Sequence, residues 1–96
     1  MPAYVIADLK VTDPEKYQLY IEQVPATIAA HGGRYRVRGG ATDSLEGEWR
    51  PERLVILEFD DLESARTWWE SDDYRGPRTI RRAASEARIL LVEGLP

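Results

Sequence analysis

Residues 3–11 alternate between two kinds of side chain, and this alternation constrains the fold more than any other feature of the chain. One set is wholly apolar: Ala3, Val5, Ala7, Leu9 and Val11. The other set is mixed: Tyr4, Ile6, Asp8 and Lys10. Because successive residues of a β-strand point to opposite faces, the segment is predicted to be a strand with one face on a core. Thr12-Asp13-Pro14-Glu15 follows with the N-cap, first-turn proline and acidic charge of a helix start.

A helix and then a second strand–helix–strand pattern follow. Apolar and aromatic residues recur at helical spacing from Tyr17 to Ile28, and His31-Gly32-Gly33 is predicted to end the helix. Pro25 lies inside this pattern and is expected to kink or split the helix. The later elements are predicted to be a strand at 34–38, a loop at 39–51, a strand at 53–60, a helix starting at 60–63, a break at 71–76, a short helix at 77–84 and a strand at 86–93.

This order, β-α-β-β-α-(α)-β, predicts a single α+β domain over residues 1–96, a ferredoxin-like fold with a four-stranded antiparallel sheet. Within it we expect right-handed crossovers to place the first and third strands side by side and parallel. The helices would cover one sheet face. The other face would carry Tyr4, Ile6, Leu54 and Ile56, which is too apolar for water. Two such sheets are therefore expected to pack face to face as a homodimer that encloses a barrel-like space.

Composition excludes several classes of function. A net charge of −4 and a pI near 5.0 argue against a nucleic-acid binder. RNA-recognition modules share the topology but stack bases on central-strand aromatics, where this third strand offers Leu54, Ile56 and Glu58. The chain has no cysteine, which is compatible with the cytoplasm, and we expect a cytoplasmic protein. No signal peptide is visible at the N-terminus, and the apolar runs are too short for a membrane span.

A pair of carboxylates is the main candidate site. In a parallel register Asp8 would lie beside Glu58, with Arg34, Arg36 and Arg38 together on one face of the neighbouring strand. Such a pair could supply a general base within a cationic cradle for an anionic or enolate-like substrate. The alternative is an ion-paired network that ties strands or subunits together without chemistry.

Other candidate residues are less specific. His31 is the only histidine, so it is either a general acid/base or haem ligand, or a cation near a helix C-terminus. We expect no bound metal, because cysteine is absent and the acidic residues lack calcium-loop spacing. Arg75, Arg78, Arg81 and Arg82 are expected to form a solvated basic face. The residues that could line a ligand pocket, rather than only pack the core, are Tyr4, Tyr20, Arg36, Arg38, Trp69 and Tyr74.

Trp49 stands in the loop from Gly39 to Pro51, an otherwise small and polar segment. An indole ring is unfavourable in water, and aromatic residues are enriched where partners meet. The loop is therefore predicted to act as an arm or lid at the dimer interface. The alternative is that Trp49 folds back onto its own subunit, against Pro51.

A set of motifs resembles domain-of-unknown-function family 1330. They are Thr12-Asp13-Pro14-Glu15, Tyr17, Tyr20, Gly32-Gly33, Arg38-Gly39-Gly40, Glu58-Phe59, Trp69, Ser71, Tyr74 and Val92-Glu93-Gly94. That family is similar to the dimeric α/β-barrel superfamily, which includes antibiotic-biosynthesis-type monooxygenases and chlorite-dismutase-like haem proteins. The resemblance implies a homodimeric barrel with a cavity between sheet and helices, and it implies no activity.

Two functions follow as expectations. The first is a protein, enzyme or carrier, that binds or transforms a small, possibly anionic molecule in a cavity lined by carboxylates and arginines, with no expected cofactor. The second is a structural or partner-dependent dimerisation module without catalysis. A filled interior with no cavity larger than a water molecule would favour the second.

Overall fold

The computed structural model describes residues 1–96, which form seven elements in a two-layer α+β domain. The elements are β1 (Ala3–Val11), α1 (Pro14–Ala30), β2 (Arg34–Arg38), β3 (Arg53–Phe59), α2 (Leu62–Glu70), α3 (Asp72–Ala84) and β4 (Ser85–Glu93). The sheet order is β2-β3-β1-β4, and every neighbouring pair is antiparallel. The ferredoxin-like fold is confirmed. The expectation that the first and third strands run parallel is wrong, because β3 is inserted between β1 and β2 and runs against both.

The first helix begins and ends where its sequence predicts. The carboxylate of Asp13 accepts a hydrogen bond from the Lys16 backbone N–H at 3.2 Å, and Pro14 occupies the first helical position. Gly32 follows the helix with a φ of 76°, the left-handed conformation that glycine adopts without steric cost. Pro25 lies inside α1, and the helix runs as one element, so of the two predicted effects, a kink or a split, the split does not occur.

The boundary between α2 and α3 is sharper than predicted. Ser71 alone separates the two helices. Its hydroxyl donates to the Trp68 carbonyl at 2.7 Å and accepts from the Tyr74 N–H at 3.3 Å, so one side chain caps both ends. The predicted break over residues 71–76 is therefore wrong, and Pro77 lies within α3 rather than at its start.

The core lies between the helices and one face of the sheet. Its largest fully buried side chains are Ile28, Phe59, Trp68 and Tyr74. Gly33 lies so close to the Phe59 ring that an added Cβ would be 2.5 Å from it, which explains the absence of a side chain there. None of the three helices combines the length and apolar character needed to cross a membrane.

The opposite face of the sheet, here called the outer face, is covered by no helix. The strand register places an apolar row across all four strands, formed by Val37, Ile56, Ile6 and Leu90. A second row contains Glu58, Tyr4 and Val92. Leu90 and Val92 are 58% and 42% exposed. The apolar outer face expected from the sequence is thus present in the fold.

Candidate functional site

The core side of the sheet and the helices enclose a cavity of about 40 Å³, here called the sheet–helix cavity. Its floor is formed by apolar residues of β1 and β3, such as Val5, Ala7 and Leu57, and α1 contributes one wall. Since one water needs about 10–15 Å³ of such space, the cavity has room for roughly three water molecules. The interior is therefore more than a water-sized void, although small for an organic ligand.

Four predicted pocket residues line this cavity, Arg38 and the three aromatic residues Tyr20, Trp69 and Tyr74. The Tyr20 and Tyr74 hydroxyls are 3.0 Å apart, and Arg81 Nε donates to the Tyr74 hydroxyl at 3.4 Å. Burial, reinforced by Tyr74, raises the pKa of Tyr20 far above its usual value, so its phenol stays protonated. Two hydroxyls carry two protons and their mutual bond uses one, which leaves one proton that a ligand could accept.

Two arginines also line the cavity. The Arg38 guanidinium carbon lies 4.4 Å from the centre of the Tyr35 ring, and that of Arg53 lies 5.6 Å from the Tyr17 ring centre. Neither arginine has a carboxylate within 4.0 Å. Arg53 Nε is buried and has no hydrogen-bond partner. The cavity therefore carries positive charge that the protein does not neutralise.

A β-bulge explains why Arg38 reaches this side. The β2–β3 register shifts between Tyr35 and Val37, so Val37 pairs with Ile56 on the outer face and Arg38 pairs with Val55 on the core side. The expectation that Arg38 shares a face with Arg34 and Arg36 is wrong for this reason. Arg53 was not predicted at the cavity, although strict alternation with the core-facing residues of β3 could have placed it there.

Asp8 and Glu58 do not form a pair. In the antiparallel register Glu58 lies opposite Tyr4, whereas Asp8 lies opposite Leu54. Asp8 lies four positions along β1 from Tyr4, the residue opposite Glu58, which corresponds to about 13 Å. Both carboxylates belong to the outer face, and neither lines the sheet–helix cavity. The predicted carboxylate dyad is wrong, and so is the expectation that carboxylates line this cavity.

Glu58 is instead the centre of an ion-pair network on the outer face. Its Oε1 accepts from Arg36 Nε at 2.8 Å, and its Oε2 accepts from Arg34. The hydrogen bond from Arg36 has the larger effect and that from Arg34 the next, and together they hold the pKa of Glu58 below its usual value. Arg36 is one of the predicted ligand-binding residues, but its guanidinium group binds Glu58 instead. Tyr4 lies beside it on the same face, between Glu58 and Val92.

The Glu58→Gln variant is expected to lose the acid sensitivity that this network confers. A carboxyl whose folded-state pKa is depressed stabilises the fold above its unfolded pKa, near 4.5, and loses that contribution as pH falls further. The melting temperature of the variant should therefore fall less than that of the wild type below about pH 4.5. Melts from pH 3 to pH 7 measure the difference. Glu22→Gln, an exposed residue of α1 without an ion pair, is the matched control, and parallel curves for Glu58→Gln and the wild type would contradict the network's role.

Asp8 anchors the loop that carries Trp49. Its Oδ2 accepts from the Trp49 indole N–H and from Arg88, both at 2.8 Å. The hydrogen bond from Trp49, followed by Arg88, lowers the pKa of Asp8. The loop thus crosses the outer face of its own subunit, and the Trp49 ring remains 54% exposed there, in a cleft beside Ile6 and Leu90.

His31 lies apart from the cavity. It caps the C-terminus of α1, and its Nε2 is 3.2 Å from the Asp73 carboxylate. His31 thus lies at a helix terminus, the position that the non-catalytic alternative gave it, and it is not among the residues that line the cavity. No three His, Asp or Glu side chains come together in a group that could hold a metal ion.

Comparisons with solved structures show the fold. A protein of unknown function from Rhodopseudomonas palustris has a TM-score of 0.81 at 17% identity, with 99% of this chain and 83% of that chain covered. A dimeric ferredoxin-like protein from Jannaschia sp. CCS1 has a TM-score of 0.73 at 10% identity, over 98% and 100% of the two chains. SnoaB, a cofactor-independent oxygenase from Streptomyces nogalater, has a TM-score of 0.67 at 14% identity, over 99% and 94%.

The family comparison covers nearly the whole chain. The curated proteins give no match. The model of the domain of unknown function DUF1330 matches residues 2–95. This confirms the resemblance inferred from motifs such as Gly32-Gly33 and Arg38-Gly39-Gly40. The chain belongs to the DUF1330 family.

Proposed function

We propose that this protein is a homodimer that binds a small organic anion in the sheet–helix cavity of each subunit. The observation that carries the proposal is the pair Arg38 and Arg53, which line an aromatic cavity without a carboxylate partner. A ligand carboxylate or enolate would supply the missing negative charge.

The charge distribution supports an anionic ligand. The chain has 17 acidic and 13 basic residues, so acidic partners are in excess. The outer-face arginines Arg34, Arg36 and Arg88 all have such partners. The cavity arginines have none, and a buried guanidinium nitrogen without an acceptor is unfavourable. An anion in the cavity would remove this cost and would also accept the spare hydroxyl proton of the Tyr20–Tyr74 pair.

The cavity walls support a planar, partly apolar ligand. The Tyr35 and Tyr17 rings lie beside the guanidinium groups of Arg38 and Arg53, and Trp69 adds a third aromatic ring to the lining. The cavity volume of about 40 Å³ means that an aromatic acid enters only when side chains move. Arg38 is exposed and stacks on Tyr35 at the edge of the sheet, so we assign the opening movement to these two side chains.

The outer face supports the homodimer. Its central apolar row, Val37–Ile56–Ile6–Leu90, has no cover from its own helices, and a second copy offers the same apolar surface. The Jannaschia neighbour is dimeric, which supports the same assembly here. We place Trp49 at the edge of this interface, because its half-exposed ring already lies on the outer face.

The second candidate function is a dimerisation module without a ligand. The small volume of the sheet–helix cavity favours it, since side chains fill most of the interior. The same fold in SnoaB, a cofactor-independent oxygenase, favours a functional cavity. The two candidates differ in whether the cavity takes up an anion.

Arg53→Met is expected to weaken binding of aromatic carboxylates at least about tenfold, or about 1.4 kcal/mol, because a charge-assisted hydrogen bond is lost. The probes are benzoate and phenylpyruvate, and the readout is the indole N–H signals in ¹H–¹⁵N NMR spectra. Trp68 and Trp69 line the cavity and their signals should shift, whereas the Trp49 signal should not.

Two controls make this test specific. Benzamide has the shape of benzoate without its charge and should bind more weakly. Arg36→Met removes an arginine of the outer face and should leave benzoate binding unchanged. Absence of any shift at Trp68 and Trp69 with either acid would favour the dimerisation module.

A further inference from the structure

A second cationic surface lies where α3 meets β4. It is a groove of about 280 Å³, here called the α3–β4 groove, lined by Trp69, Arg81, Arg82, Ser85, Ala87 and Ile89. Two of its six lining residues are arginines and none is acidic. Trp69 belongs to both this groove and the sheet–helix cavity, so its indole ring forms part of the boundary between them.

Arg81 is the unusual residue of this groove. The sequence predicts it on a solvated basic face, but its side chain is only 4% exposed, so that expectation is wrong. Arg75 does pair with Asp72, as a surface arginine would. Arg81 has no carboxylate within 4.0 Å, and its one protein hydrogen bond is from Nε to the Tyr74 hydroxyl. Buried charges are normally paired, and Arg81 is an exception, because the protein supplies no negative partner for it.

Neighbouring arginines add to the positive charge. The guanidinium carbons of Arg78, Arg81 and Arg82 lie 5.7, 5.8 and 6.0 Å from the centre of the Trp69 ring. Arg78 is fixed by a 2.7 Å hydrogen bond to the Trp69 carbonyl. Arg82 is exposed and has no ion pair. All three guanidinium groups therefore lie within about 6 Å of one indole ring, the range of a cation–π contact.

The helix terminus does not account for this charge. Arg81 and Arg82 lie in the last turn of α3, where the helix dipole contributes about half a negative charge. Two guanidinium groups exceed that charge several-fold. The Ser85 hydroxyl already donates to the Arg81 carbonyl at 2.7 Å, so this terminal acceptor has a partner without the arginines. The remaining positive charge faces the groove.

We propose that the α3–β4 groove binds a phosphate dianion, either free or as the phosphomonoester of a small molecule. Two guanidinium groups match the charge of a phosphate dianion, and their planar arrays of N–H donors suit its oxygens. The site is separate from the aromatic-acid site proposed above, because it uses Arg81 and Arg82 rather than Arg38 and Arg53.

The test is a titration of the full-length protein with inorganic phosphate and, separately, with phenyl phosphate at constant ionic strength set by sodium chloride. Phosphate is expected to raise the melting temperature and to shift the Trp69 indole N–H signal. Arg82→Gln should weaken this binding at least tenfold. Arg82 is exposed, so this variant retains its fold, and Arg81→Gln should give the same loss.

Two variants control for position. Arg75 lies on the same helix but is ion-paired with Asp72, and Arg53 lies in the sheet–helix cavity. The variants Arg75→Gln and Arg53→Met should therefore both keep the phosphate response. Tighter binding of phenyl phosphate than of inorganic phosphate identifies a phosphomonoester as the ligand, and equal binding identifies free phosphate. A response no larger than that to chloride, or one that survives in Arg82→Gln or disappears in Arg53→Met, overturns the proposal.

Discussion

Ile6→Glu is expected to convert the proposed homodimer into monomers that keep their fold. Ile6 is the centre of the apolar row on the outer face, opposite Ile56 on one side and Leu90 on the other. In a face-to-face dimer a glutamate here would be buried without a partner, and its symmetry mate would bring a second one close. The dissociation constant should rise at least about 100-fold, which corresponds to about 2.7 kcal/mol. Sedimentation velocity at several protein concentrations measures this change.

Lys10→Glu provides the matched control. Lys10 lies on the same strand and faces the same side, but it is exposed and opposite Glu86, beyond the apolar rows. The Lys10→Glu variant should therefore have the same dissociation constant as the wild type. Trp49→Ala should weaken the dimer less than Ile6→Glu, because Trp49 lies at the edge of the proposed interface. Wild-type protein that sediments as a monomer at micromolar concentration, or an Ile6→Glu variant that remains dimeric, would contradict the proposed assembly.

The sequence predicted which residues face the core because side-chain periodicity reports that directly. The apolar set of β1, from Ala3 to Leu9, is buried as expected. Periodicity does not report strand direction, and the Asp8–Glu58 dyad depended on direction. In a split β-α-β unit the helix returns the chain parallel to β1 but one strand away, so the neighbour of β1 is the antiparallel β3.

Of the two cavity arginines, Arg38 was harder to predict, for a local reason. A bulge of one residue moves every later side chain of a strand to the other face, and nothing in the run Arg34 to Arg38 reveals it. The basic run around Arg81 predicts a solvated surface, because arginines in such runs are usually solvated. The burial of Arg81 depends on Trp69 and Tyr74, which belong to other turns of the helical layer and come together only in the fold.

Two groups of charged residues differ in whether they have partners. On the outer face, Glu58 and Asp8 bind arginines of neighbouring strands and a loop tryptophan, so these charges hold the sheet and its loop together. On the helix side, Arg38, Arg53 and Arg81 have no carboxylate partners. The first group stabilises the sheet and its loop, and the second group is the one on which both proposed sites rest.

Trp68→Ala is expected to cost more stability than the removal of either other tryptophan. Trp68 is 2% exposed, and its ring centre lies 4.1 Å from that of Tyr74 and 5.4 Å from that of Phe59. Its indole N–H donates to the Thr27 hydroxyl at 3.0 Å. Removing a buried indole costs about 3–5 kcal/mol, and each kcal/mol lowers the melting temperature of a domain this size by about 4–8 °C. Calorimetry should therefore show a decrease of at least about 12 °C, and urea titration should show the matching loss of unfolding free energy.

Two comparisons separate packing from hydrogen bonding in this result. Trp68→Phe keeps an aromatic ring but loses the hydrogen bond to Thr27. It should retain most of the stability that Trp68→Ala loses. The loss of the hydrogen bond should account for about 1 kcal/mol of the remaining difference from the wild type. Free indole should bind the space left in Trp68→Ala and restore part of the melting temperature, because an enlarged apolar cavity accepts a ligand of matching shape. Trp49→Ala, which removes a half-exposed ring, should be far less destabilising. A Trp68→Ala variant no less stable than Trp49→Ala would show that the Phe59–Trp68–Tyr74 stack does not hold the helices on the sheet.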